Sequence, residues 1–139
     1  PRFAPELFAA LHNQDVTRYK QFHKGLTQLE EEGAVQVFYA TDGLRREPIV
    51  AAVGALQFDV VLARLRDEYG VDARTEHLEM TAARWLPPEQ EAAIPTLRRR
   101  GVTPCLDRDE RPVLLFRSQW DLDSFRKDNP KVPLLETSY

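Results

Sequence analysis

The apolar residues Val16, Tyr19, Phe22, Leu26 and Leu29 recur three and four positions apart. Arg18, Gln21, Lys24, Gln28 and Glu32 fall on the opposite side. This pattern predicts a helix of about 17 residues, capped by Asp15 and stopped by Gly33. Residues 34–40 then alternate, with Val35, Val37 and Tyr39 on one face and Gln36 and Phe38 on the other. Thr41-Asp42-Gly43 has turn chemistry, and residues 48–53 form a second run of small and branched side chains. The two runs predict an antiparallel hairpin with Arg45 and Arg46 at its tip. Residues 55–69 predict a second helix, with Leu56, Phe58, Val61, Leu62, Leu65 and Tyr69 inward. Gln57, Arg64, Asp67 and Glu68 lie opposite, which puts Leu56, Phe58 and Val61 in the core and exposes Gln57.

Two less regular stretches flank this pattern. Residues 2–11 predict a short edge strand interrupted by Pro5, which has no amide for a ladder, followed by a polar break at residues 12–15. Residues 71–86 contain no Gly or Pro and predict one long strand, bent near His77. The order strand, helix, strand, strand, helix, strand predicts an α+β fold: a ferredoxin-like αβ plait, with four antiparallel strands and two helices on one face.

Pro87-Pro88 marks an internal boundary. It divides the single domain into a plait over residues 1–86 and an α/β annex over residues 87–139. In the annex, residues 89–100 predict a helix disturbed by Pro95. Residues 103–106 and 112–116 predict a hairpin. Ser118 and Asp121 predict the start of a helix that turns Trp120 and Phe125 inward. Residues 132–135 predict a closing strand. Some fifty residues make too small a core alone, so the annex is expected to dock on the plait.

Composition narrows the classes. The chain has 139 residues, a charge of −3 and one cysteine, Cys105. An internal disulfide and a multi-cysteine zinc site are excluded. No apolar run approaches a membrane span of about 20 residues, and a cytoplasmic setting is expected. The chain is no bulk polycation, so any nucleic-acid contact must be local. It carries 15 Arg against 4 Lys, and Arg suits bidentate phosphate contact. The candidate clusters are Arg98-Arg99-Arg100, before Gly101, and Arg45-Arg46.

Catalytic and cofactor patterns are lacking. No G-x-x-x-x-G-K-[ST] or G-x-G-x-x-G occurs. His12, His23 and His77 show no ligand spacing, and Cys105 reads as a buried small hydrophobe. Glu30-Glu31-Glu32 reads as a helix end beside a neighbour's Arg or Lys. No catalytic residue, cofactor or metal is expected in the chain itself.

Two phrases carry a family resemblance. Residues 24–38 contain Gly33-Ala34-Val35-Gln36-Val37-Phe38, and residues 53–61 read Val-Gly-Ala-Leu-Gln-Phe-Asp-Val-Val. Both resemble the C-terminal domain of bacterial peptide chain release factor 3, as do Phe3-Ala4-Pro5-Glu6 and Ala83-Arg84-Trp85. The resemblance implies a translational GTPase similar to elongation factor G. Its GTP/GDP site, with Mg²⁺, would lie upstream of Pro1, in a nucleotide domain followed by a β-barrel domain. It implies that this part contacts the ribosome, through small-subunit protein and rRNA, and couples domains. The whole factor would then remove stop-codon-reading release factors. Gln57, Asp59 and Arg64 match family positions without a catalytic role. A monomer is expected, with no membrane partner. Residues 41–47 and 87–110 follow no family phrase. The alternative reading is a regulatory plait that holds a small ligand.

Overall fold

The computed structural model describes residues 4–138. Its strands are β1 (Leu7–Asn13), β2 (Gln36–Ala40), β3 (Ile49–Ala52), β4 (Ala73–His77), β5 (Ala82–Trp85), β6 (Val102–Leu106) and β7 (Pro112–Phe116). Its helices are α1 (Tyr19–Glu31), α2 (Leu56–Tyr69) and α3 (Gln119–Asp128), with 3-10 turns at Val16–Arg18 and Pro88–Leu97. The Asp15 carboxylate accepts from the Thr17 amide at 3.0 Å, so the predicted N-cap holds the turn that leads into α1.

All strands join one antiparallel sheet in the order β4-β1-β3-β2-β6-β7-β5. The expected four-stranded sheet is thus corrected to seven strands. The reason is that β6 takes the free edge of β2, pairing Tyr39 with Leu106 and Ala40 with Cys105. The next edge amide, at Val37, donates instead to Glu30 Oε2 at 2.7 Å. The sheet also crosses the Pro87 position, because β5 before it pairs with β7 after it.

Two further strand expectations are corrected. β1 is an interior strand between β4 and β3, not an edge, and it begins after Pro5. Arg2 and Phe3, the start of that expected strand, lie outside the described residues. Residues 71–86 form two strands at opposite edges of the sheet. The Leu78 amide still bonds Phe8, beside β4, and the Thr81 amide already bonds Phe116. This four-residue crossing forces curvature. A flat sheet of seven strands is about 29 Å wide, whereas His77 to Ala82 reaches about 18 Å at most.

Curling makes three cores. The concave face holds Phe8, Ala10, Phe38, Ile49, Ala51, Ala83, Trp85, Cys105, Val113 and Leu115. Phe38 and Trp85 meet there with ring centroids 6.0 Å apart, although three strand spacings separate β2 from β5. On the outside, α1 and α2 cover the β4-β1-β3-β2 half, and α3 covers the β6-β7-β5 half. The buried Trp85 indole donates to Asp107 Oδ2 at 3.0 Å and so joins β5 to the turn after β6.

Local corrections follow from packing. Residues 88–97 are a 3-10 helix rather than an α-helix, and Pro95 inside it has no amide to give. Leu135 makes a single bridge to Trp85 rather than a closing strand. Phe125 is fully buried, but Trp120 is 71% exposed. Leu122 and Phe125 share one side of α3, and Trp120 falls about 200° from Leu122. The phase is fixed by Asp121, which is buried and bonded to Ser118 and Arg117. The Asp121 carboxylate approaches the backbone so closely that a Cβ on Gly101 would stand 2.3 Å from its Oδ1.

Candidate functional site

The two arginine clusters sit on connections. Arg45 does not project freely from the β2–β3 hairpin tip. Its Nη1 lies 3.2 Å from Glu47 Oε1 and 3.7 Å from Glu76 Oε1. His12 Nε2 lies 2.8 Å from the same Glu76 oxygen. The His12 hydrogen bond, with Arg45 beside it, holds the Glu76 carboxyl below its usual range. His12, Glu47 and Glu76 thus bring ligand-type atoms within 4.8 Å of one another, a grouping with no sequence spacing to announce it. The Arg45 guanidinium already compensates both carboxylates and repels a cation, so the group reads as an ion-pair network. Arg46 is exposed, and among the described residues only its backbone amide is bonded, donating to Glu47.

The second cluster follows the 3-10 segment. Arg98 donates to the Asp42 carbonyl at 3.2 Å, which joins this segment to the hairpin tip. Arg99 is tied to α3, donating to Asp128 Oδ2 at 2.7 Å and Ser124 Oγ at 3.0 Å. Arg100 is exposed. Asp42, Leu44, Arg98, Val102 and Pro104 line a cleft of about 410 Å³ between the two segments. The structure therefore brings Arg98 to the hairpin, commits Arg45 and Arg99 to ion pairs, and leaves Arg46 and Arg100 outward.

A third feature escaped the sequence reading. Leu11, Phe22, Tyr19, His23, Tyr39, Arg46 and Pro48 help line a cleft of about 570 Å³ at the start of α1. Tyr19 is 64% exposed, and its ring meets His23 edge-on at 4.4 Å. Burial raises the Tyr39 phenol above its ordinary value. In the sequence Tyr39 is marked only by alternation, which sets it on the same face of β2 as Val35 and Val37, and Tyr19 and Phe22 only by helical spacing.

The family-matching residues are structural. Gln57 is half-buried rather than exposed, and its Oε1 accepts from the Val53 and Gly54 amides at 2.9 and 3.1 Å. It satisfies two backbone donors at the start of α2. Arg64 pairs with Glu32 at the end of α1 and with Glu68 on α2. Its hydrogen bonds hold both carboxyls below their usual range and push its own pKa up. Glu32 thus has the cationic neighbour that its run predicted. Asp59 is exposed in the first turn of α2. Val61 is buried and Phe58 half-buried, but Leu56 is 77% exposed, against the core position expected for it. Helical geometry turns Leu56 with Val60 away from the α1 side.

The three histidines remain at or near the surface: His12 and His23 are half-buried and His77 is exposed. Cys105 is buried, and burial pushes its thiol up, away from reactive ionisation. Among the described residues no helix is long and apolar enough to cross a membrane.

Comparison with known proteins places this architecture. Residues 1–126 match the family described as class II release factor RF3, C-terminal domain. Proteins named peptide chain release factor 3 are similar over nearly the whole chain. That of Trichormus variabilis is 46% identical over 134 residues, 96% of this chain and 25% of its own length. That of Cyanothece sp. is 47% identical over 134 residues, again 96% and 25%. That of Rippkaea orientalis is 43% identical over 138 residues, 99% and 26%. The chain therefore spans about a quarter of the length of the curated relatives it matches. With 126 positions matched, the chain belongs to the C-terminal domain family of class II release factor RF3.

Proposed function

We propose that this chain is the C-terminal ribosome-contacting and domain-coupling part of a peptide chain release factor 3. The factor acts in the cytoplasm as a GTPase and removes stop-codon-reading release factors from the ribosome in translation termination. The observation that carries this reading is the family match over residues 1–126, supported by relatives of that name. Within the sheet, the β4-β1-β3-β2 order with α1 and α2 on one side is read as the ferredoxin-like part. The remaining strands and α3 form the annex that widens it.

This chain carries no phosphate-loop motif. GTP and Mg²⁺ are therefore assigned to another part of the factor, and this chain is not an enzyme by itself. Its contribution is mechanical and electrostatic. One continuous sheet with three packed cores moves as a rigid body when the nucleotide-binding part switches. Arg46, Arg98 and Arg100 offer cations to ribosomal phosphates, whereas Arg45 and Arg99 hold the loops that carry them.

The test uses the full-length factor, the ribosome and a bound stop-codon-reading release factor. GTP with the wild-type factor should accelerate departure of the release factor. No acceleration would reject the reading. Arg98→Glu with Arg100→Glu should weaken ribosome binding about tenfold at moderate salt and leave GTP affinity unchanged. Unaltered ribosome binding would remove these two residues from the interface.

A further inference from the structure

α2 is apolar on two sides. Val61 and Leu65 point into the domain, with Phe58 and Leu62 beside them. Leu56, 77% exposed, and Val60, 47% exposed, point the other way, with half-buried Ala63 one turn on. Val53, 66% exposed, lies at the foot of this stripe. An apolar helix face is normally packed against a neighbour, yet among the described residues the Leu56–Val60 face of α2 is exposed while the Val61–Leu65 face is covered.

The polar residues of this stretch sharpen the contrast. Gln57 is used in capping and Arg64 in the clamp to Glu32. Asp59 lies next to Leu56 and Val60 and makes no hydrogen bond or ion pair among the described residues. The outward face is thus an apolar patch with one unused anion, a composition suited to docking.

The path of the chain indicates what covers it. The Glu6 amide donates to the Ala52 carbonyl at 3.2 Å, and Leu7 pairs with Ala52. Continued by one residue, that register sets Glu6 opposite Val53. The polypeptide therefore arrives in β1 beside the foot of the patch. The relatives are about four times as long as their matched segment, so ample chain exists to fold there.

We propose that the outward face of α2, formed by Val53, Leu56, Val60 and Ala63 around Asp59, is the docking surface for the part of the same factor that precedes this chain. That partner surface is apolar at its centre and places an Arg or Lys against Asp59. The inference rests on the reading of this chain as the C-terminal part of a longer factor. Docking here fixes the angle between the preceding part and the curled sheet, and so transmits the nucleotide switch.

The experiment places a photo-crosslinking p-benzoylphenylalanine at Leu56 or Val60 of the full-length factor, free of ribosomes. Lys20, exposed on α1, serves as the control position. Crosslinks mapped by mass spectrometry should join positions 56 and 60, but not 20, to residues preceding this chain. Crosslinks between two copies, crosslinks only to ribosomal components once ribosomes are added, or no crosslinks would each overturn the proposal. In a second arm, Leu56→Asn with Val60→Asn, and separately Asp59→Lys, should speed protease cleavage ahead of β1 about tenfold. Unchanged cleavage in both variants would also overturn it. The release-factor departure assay on unmodified factor judges the functional reading separately, so the two failures are distinguishable.

Discussion

Single side chains in this domain divide into those that satisfy backbone groups and those that face outward. Gln57 belongs to the first class, because its carbonyl is the acceptor for two amides that precede α2. Gln57→Ala leaves both amides to water at the helix start and should cost about 1 kcal/mol, read by urea denaturation. Gln57→Glu keeps the acceptor and should stay near wild type. Asp121 gives a pH dependence with a definite sign. Its hydrogen bond from Ser118, aided by Arg117, holds its carboxyl below the ordinary 3.8. A lowered folded value means that its contribution is complete above the unfolded value and is lost as pH falls through the folded one. Asp121→Asn should therefore flatten the stability profile below about pH 4. An unchanged acid limb would show that other carboxyls set it. Arg64, by contrast, joins Glu32 and Glu68 at the surface, where such pairs contribute little.

At the scale of elements, the contact between α1 and α2 depends on Gly25. A Cβ there would lie 2.8 Å from both Leu65 Cδ2 and the Tyr69 ring. Alanine favours a helix by about 1 kcal/mol over glycine, but this collision with a buried leucine and an aromatic ring costs more. Gly25→Ala should lower stability by about 1 to 2 kcal/mol, and a higher melting temperature would contradict the close approach. The same helices were the most legible elements in the chain, since each writes its inner face at 3.6-residue spacing. The outer face of α2 departs from that rule: Leu56 and Val60 form a second apolar stripe beside the Val61–Leu65 face, so spacing alone places Leu56 inward. In α3 the error was similar, because Trp120 is the larger side chain but the buried Asp121 fixes the rotation. Of the arginine clusters, the sequence located the connections but not their commitments. Arg45 meets Glu76, and Arg99 meets Asp128, across 31 and 29 positions respectively.

For the whole molecule, the curled sheet predicts one cooperative unit. β2 pairs with β6, the concave core draws on both halves, and Trp85 is latched to Asp107. Denaturation of a Trp120→Phe variant, followed by Trp85 fluorescence and by amide exchange in β1, should report a single transition, and two separated transitions would count against it. Asp107→Asn disturbs a carboxylate that accepts from the Trp85 indole and from the Asp109 and Arg111 amides. It should cost about 2 to 3 kcal/mol and shift both probes together. The sequence alone determined α1, α2 and the start of α3, the hairpin strands, the turns at Asp15 and Gly33 and the phrases that mark the family. Each of these depends on neighbours within a few positions, where periodicity and capping act. Tertiary structure alone decided that, among the described residues, the sheet has seven strands, residues 71–86 split between its two edges, and one apolar face of α2 is left uncovered. These depend on which distant edges meet: β2 accepts β6 because its amides and carbonyls need partners, and no local pattern states which strand will supply them.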